Sequence, residues 1–191
     1  MYGKRLAIIV VGMPGSGKST LSLVAKELGI PVINLGDIVR EEVLKRGLEQ
    51  NLENLLKVAK QLREEFGNEA IMMLAIPKIK EALSKHCIVL IDGVRSIDEV
   101  KYLKQNVDVE VMVLAIHASP LTRLQRLIAR GRSGDPKTLE ELRKRDLEEL
   151  SWGLGNVISL ADVVIVNEKS YEEFISDVRK ILSKAYLNWC T

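Results

Sequence analysis

The sequence predicts an α/β fold, a three-layer doubly wound domain built on a five-stranded parallel sheet, and three observations carry that prediction. Five short runs rich in β-branched residues, RLAIIVV, PVIN, CIVLID, VDVEVMVLAI and ADVVIV, are apolar almost throughout, as strands buried on both faces are. Longer stretches with helical spacing separate them, the alternation that builds βαβ units. The first run also leads straight into GMPGSGKST, a glycine-rich turn where the chain leaves the sheet.

In order along the chain, RLAIIVV is the first strand, and Ser19 to Leu28 follows as a helix that Gly29 and Pro31 stop. After the strand PVIN, residues 35–85 are too long for a simple crossover and read as about three helical stretches, a helical insertion. Within it Leu48, Leu52, Leu55, Leu56, Ala59, Leu62 and Phe66 recur at helical spacing, and Met72 and Met73 read as core filler. CIVLID is the third strand and ends on Asp92. Ser96 to Lys104 makes a helix, VDVEVMVLAI the fourth strand, and Pro120 to Arg130 a further helix. Residues 131–156, GRSGDPKTLEELRKRDLEELSWGLGN, read as a lid hinged on its bounding glycines, with Thr138 and Glu141 as a capping box and Trp152 at the hinge. The strand ADVVIV and an amphipathic helix from Tyr171 to Leu187 complete the layers.

A chain of 191 residues, 47% hydrophobic, can bury one core, so residues 1–191 read as a single domain. Lys plus Arg total 28 against 26 Asp plus Glu, and a net charge of +2 leaves no global field to draw nucleic acid or a membrane. No apolar run approaches the roughly 20 residues of a membrane helix, and MYGKRLAIIVVGMPG reads as strand and turn rather than a cleavable signal. A cytoplasmic protein is expected. Cys87 and Cys190 lie far apart in sequence without metal-ligand spacing and read as passive thiols of a reducing compartment. His86 and His117 are too few for a histidine metal centre or triad.

GMPGSGKST matches G-x-x-x-x-G-K-[ST], with Gly12, Gly17, Lys18 and Ser19 in register and Met13, Pro14, Gly15 and Ser16 spanning the loop ahead of Thr20. Glycines let backbone N–H groups approach a phosphate, the helix start adds partial positive charge, and Lys18 adds a full one. Such a loop holds the triphosphate of ATP, and the Ser19 hydroxyl suits Mg²⁺ bridging the outer phosphates. Asp92, at a strand's carboxyl end, is placed as the acid that holds the magnesium directly or through water; an ordinary N-cap or turn aspartate before Gly93 is the structural alternative.

These residues and three further stretches resemble the adenylate kinase-like nucleotide kinases, with similarity to dephospho-coenzyme A kinase and to an archaeal family of related P-loop proteins. INLGDIVREEV is similar to the element that opens the monophosphate site, which implies acceptor roles for Gly36, Asp37 and Arg40. IDGVRSIDEV is similar to a second acceptor segment, one residue shorter and without its proline, which implies Arg95 as a second phosphate-binding arginine and Glu99 in the base pocket. LTRLQRLIARGR resembles the helix entering the kinase lid, which implies that Arg126 and Arg130 neutralise the moving phosphoryl group, helped by Arg132, Arg143 and Arg145; Arg123 stays unassigned. The same resemblance implies a P-loop NTPase sheet in the order 2-3-1-4-5.

Phosphoryl transfer needs two anions in line, their charge neutralised, and water excluded. A donor loop, an arginine-bearing insertion and an arginine-rich lid meet those needs, so the expectation is an ATP·Mg²⁺-dependent transferase acting on a small phosphorylated nucleotide such as AMP. Leu35 and Glu99 stand where adenylate kinases carry a threonine and a glutamine at the base, and Glu99 cannot donate to adenine. ADVVIVNEKSYEEF, similar to a dephospho-coenzyme A kinase phrase, raises a 3′-hydroxyl acceptor with Asp37 or Asp92 as base. An ATPase switch acting on protein or RNA is the alternative from another class, against which stands a scattered aromatic content of 4%. Oligomeric state is left open.

Overall fold

A computed structural model describes residues 5–132 and 134–190. Along the chain these form β1 (Leu6–Val11), α1 (Lys18–Glu27), β2 (Val32–Asn34), α2 (Leu35–Lys45), α3 (Leu52–Phe66), α4 (Ala70–Lys85), β3 (Ile88–Asp92), α5 (Ile97–Asn106), β4 (Glu110–His117), α6 (Pro120–Arg130), α7 (Leu139–Ser151), α8 (Leu154–Ser159), β5 (Val163–Val166) and α9 (Tyr171–Cys190). The strands make one parallel sheet in the order β2-β3-β1-β4-β5. Asn34 pairs in register with Asp92, and Asp92 with Val10, so three strands deliver their carboxyl ends to one edge.

The alternation of β1 explains the layers. Ala7, Ile9 and Val11 point into a core shared with α2, α3, α4, α5 and α8, while Leu6, Ile8 and Val10 point into one shared with α1 and α9. Period-two side chains on a strand buried on both faces demand helices on each side. Each large apolar residue removed from water there contributes about 1.5–3 kcal/mol, which fixes the sheet as a rigid base for its loops.

Residues 35–85 are the three helices α2–α4, and Met72 is fully buried beneath them. Of the spaced apolar residues in this stretch, Ala59 and Leu62 face the core, joined there by Val58, whereas Leu48, Leu52, Leu56 and Phe66 remain exposed. The Thr138–Glu141 capping box opens α7, and a reciprocal Ser96–Glu99 box opens α5. Helix α8 is not foreseen by the sequence reading, because six residues with internal glycine give too little periodicity.

One expectation is overturned. Cys87, just before β3, and Cys190, at the end of α9, are joined in a disulfide with a Cα–Cα distance of 5.5 Å across 103 residues. Sequence distance conceals this pairing, since only the docking of α9 on the sheet brings the residues together. Among the described residues no helix is long and apolar enough to cross a membrane, and no cluster of His, Cys, Asp and Glu could hold a metal ion by itself.

Candidate functional site

At the carboxyl edge of the sheet, β1 gives way to a loop that turns into α1 through Gly15 (φ 82°) and Gly17 (φ 116°), a left-handed region that side chains avoid. Space forbids a side chain as well. A Cβ on Gly15 would lie 2.8 Å from the Arg123 carbonyl oxygen, and one on Gly17 would lie 2.5 Å from Asn167 Nδ2. Lys18 Nζ donates to the carbonyls of Gly12 (2.5 Å) and Met13 (3.3 Å), so its ammonium lies folded against the loop. Burial pulls its pKa below the ordinary lysine value, with Asp92 and Glu149 opposing.

A cavity of about 700 Å³ runs along this edge, a size usual for ligand sites. Pro14, Gly15, Gly17, Lys18, Ser19 and Thr20 line it. Ser16 is wholly buried, and Gly12 and Met13 form the root of the loop, Met13 packing on the core. On the β2–β3 side lie Asn34, Gly36, Arg40, Asp92, Gly93 and Arg95; α6 and the following turn supply Arg126, Arg130 and Arg132; α7 supplies Arg145 and Glu149. The structure thus brings Lys18, Arg40, Arg95, Arg126, Arg130, Arg132 and Arg145 to one space.

Other expected residues stand elsewhere. Arg143 is exposed on α7 and is not among the lining residues. Asp37 does not line the cavity either; it pairs with Arg40, one turn further along α2. Glu99 is withdrawn from any base pocket. It is 1% exposed and accepts hydrogen bonds from the backbone N–H groups of Arg95 (2.6 Å) and Ser96 (3.1 Å), because position N3 of α5 is where a capping glutamate belongs. Burial raises its pKa, opposed by those hydrogen bonds.

Arg40, Arg95, Arg130 and Arg145 are already in ion pairs. Arg95 Nε donates to Glu149 Oε2 (2.7 Å); burial disfavours its charge, but Glu149 more than offsets this and raises the pKa. Arg95 and Arg63 both lie 4.9 Å from the centre of the Trp152 ring, which links α3 to the end of α7. Arg130 meets Asp135 through two hydrogen bonds (2.5 and 2.9 Å), and Arg145 approaches the same carboxylate at 3.6 Å; the Arg130 bonds hold the Asp135 pKa low.

Sequence reasoning left three parts of this site without a role. Arg123 is 4% exposed and grips Asp146 of α7 in two hydrogen bonds (2.8 and 2.6 Å) while donating to the Pro14 (3.1 Å) and Ala118 (3.2 Å) carbonyls. Asn167, after β5, donates to the Ser16 carbonyl (2.8 Å) and receives Arg126 on its own carbonyls. Asn34 caps α2 through Gly36 N and reaches Asp92 Oδ2 (3.3 Å). The available signal was position: Asn34 and Asn167 each follow or end an apolar strand at the edge where ligands bind.

Asp92 suits a cation. Its side chain is buried, its Oδ1 has no hydrogen-bond partner among the described residues, and burial raises its pKa against the opposing charge of Lys18. Ser19 lines the same cavity, so a hydroxyl and an orphaned carboxylate oxygen, hard oxygen donors, meet the needs of Mg²⁺.

Comparison with known proteins agrees with this architecture. Residues 11–143 match the AAA_17 family model, described as an AAA domain. A UPF0200 protein of Hyperthermus butylicus is 52% identical over 180 residues, covering 94% of this chain and 95% of that protein. A UPF0200 protein of Pyrococcus horikoshii is 45% identical over 185 residues, covering 96% and 100%. Among solved structures, TT1252 from Thermus thermophilus superposes with a TM-score of 0.64 at 21% identity, covering 95% of this chain and 98% of that one. Shikimate kinase from Bacteroides thetaiotaomicron follows with a TM-score of 0.58 at 17% identity, covering 94% and 97%. The fold is that of P-loop kinases, and the chain belongs to the UPF0200 family, with an AAA_17-type AAA domain.

Proposed function

We propose that the chain transfers the terminal phosphoryl group of ATP to a small anionic acceptor bound in the β2–β3 half of the cavity. One observation carries the reading: Arg40 and Arg95 line the same cavity as Lys18 and the glycine loop, so a second anion can be held beside the first.

The backbone of residues 12–17 and Lys18 hold the donor phosphates; Lys18 must swap its two carbonyl partners for phosphate oxygens. Ser19 and, directly or through water, Asp92 would hold Mg²⁺, which would supply neutralisation of the phosphate charge. Arg126, anchored on Asn167 with its Nη1 buried and unpartnered, lines the same cavity as the loop and neutralises charge on the moving phosphoryl group. Arg130, Arg132 and Arg145 close the top, and residues 131–156 act as a lid that excludes water when they fold over, while residues 35–85 act as the acceptor-binding insertion.

The nucleoside monophosphate reading, with AMP as its example, keeps the two arginines but loses its base contacts, because Leu35 and Glu99 are both buried. That structures of like fold include a shikimate kinase and a gluconokinase supports a small acceptor other than a nucleotide as well.

Lys18→Ala should abolish ATP turnover, whereas Arg40→Ala should raise the acceptor KM by roughly 10–100-fold, the value of a charge-assisted pair, with the ATP KM little changed. Parallel losses of ATP affinity in both variants contradict the division of roles.

A further inference from the structure

The apolar side chains of the cavity are all on one side. The sheet order sets β2 and β3 to one flank of the glycine loop and β4 and β5 to the other. Leu127, Tyr171 and Phe174 line the β4–β5 flank, together with Pro14 of the loop itself. The opposite wall is made of Asn34, Arg40, Asp92, Arg95 and the Glu149 that Arg95 pairs with, completed by glycine backbone, while Arg145 shares Asp135 with Arg130 of α6. Among the described residues, no apolar or aromatic side chain lines that wall.

A purine or pyrimidine needs an apolar slot or a ring face, since its two faces gain nothing from charged groups that must shed water to meet them. None is offered on the β2–β3 side. Leu35 is 1% exposed and belongs to the core, and Trp152 has the Arg63 and Arg95 guanidiniums over its ring. The wall instead alternates hydrogen-bond acceptors with cations. Glu149, its side chain 11% exposed, and Asp92 present carboxylates, Asn34 an amide, and Arg40 and Arg95 positive charge. Paired carboxylate and guanidinium groups are suited to adjacent hydroxyls, each of which must both donate and accept.

We infer that the acceptor is a small polyhydroxylated anion without a nucleobase, a sugar phosphate or a hydroxy acid, taken through its hydroxyls by Glu149 and Asn34 and through its anionic group by Arg40 and Arg95. This deepens the proposed function and rests on it. In the transfer, an acceptor hydroxyl oxygen forms a bond to the γ-phosphorus as the bond from that phosphorus to the β,γ-bridging oxygen breaks. ADP leaves with that electron pair, and the hydroxyl proton passes to the Glu149 carboxylate and on to solvent. The adenine of the donor takes the aromatic flank, which leaves nothing for a second base.

The test uses the full chain with γ-labelled ATP and Mg²⁺, and measures initial rates of label transfer to AMP, GMP, CMP and UMP against glycerol 3-phosphate, ribose 5-phosphate, 6-phosphogluconate and gluconate. The inference expects at least one polyhydroxylated anion to exceed the best nucleotide in kcat/KM by about 100-fold or more, the discrimination a polar site exerts against a misfitting group. Within that set, gluconate against the three phosphates separates hydroxy acid from sugar phosphate. A nucleotide as best acceptor overturns this inference and leaves the transferase reading standing. ATP consumed to free phosphate with no labelled organic product overturns both. Glu149→Gln adds a second readout: it should raise the KM of the winning acceptor at least about tenfold more than that of ATP, and equal rises contradict the assignment.

Discussion

Arg123 carries more of the architecture than any lining residue, although it binds no substrate in this account. Its guanidinium joins the glycine loop at Pro14 to Asp146 of the lid helix, and its backbone packs on Gly15. Arg123→Ala strands a largely buried carboxylate and two carbonyls, a loss of about 3–5 kcal/mol for a broken buried pair. A chain of this size loses about 2–4 °C in Tm per kcal/mol, so thermal unfolding should show a fall of roughly 10 °C. Arg123→Lys should rescue little, because an ammonium cannot hold two carboxylate oxygens and two carbonyls in one plane; full rescue would refute the strut. Sequence periodicity could not single out Arg123, since its spacing from Arg126 and Arg130 is that of any exposed helix face. Only the packing of α6 between the loop and α7 buries it. Glu99 was legible as a charged residue near Arg95 but was given the wrong role, because a capping box and a base-pocket residue occupy the same register.

At the scale of elements, the strands and most helices were legible because their signals are local. Apolar runs, caps and stop glycines placed α6 at Pro120–Arg130 and β3 ending at Asp92. Helix α9 runs on to Cys190 because its last turn is held by a bond that no local signal encodes. The glycine loop shows the difference between backbone freedom and space. Gly29, ending α1 with φ 74°, has nothing within 4 Å of an added Cβ, while Gly15 meets backbone. Gly29→Ala should cost about 1 kcal/mol through strain alone and leave ATP binding intact. Gly15→Ala should abolish nucleotide binding by calorimetry, as the loop must shift away from α6; equal, mild effects of the two would show that the loop is not tightly enclosed.

For the molecule as a whole, stability and function meet in α9. Its first turn brings Tyr171 and Phe174 to the cavity, and its last residue is tied to the entry of β3. Closing a loop of about 100 residues stabilises by up to roughly 4.7 kcal/mol through the unfolded chain. Reduction, or Cys190→Ser, should therefore lower Tm by on the order of 10 °C in a calorimetric scan; an unchanged Tm with reductant would show the bond contributes nothing. The buried carboxyls add a pH dependence. Burial raises the folded-state pKa of Asp92 and Glu99 above the ordinary 3.8 and 4.5, so the folded protein binds more protons than the unfolded chain above those values. Their contribution accordingly falls as pH rises from there through the raised values, and Glu99→Gln should flatten that part of a stability–pH curve.

The central claim is that two anions meet in one cavity, with Lys18 on one side and Arg40 and Arg95 on the other. Its most direct measurement follows the γ-label of ATP to its destination in the presence of small anionic acceptors. The account predicts that most label appears in an organic product and that Arg40→Ala diverts it to free phosphate. Label found only in free phosphate, with turnover raised by protein or RNA and by no small molecule, would contradict it.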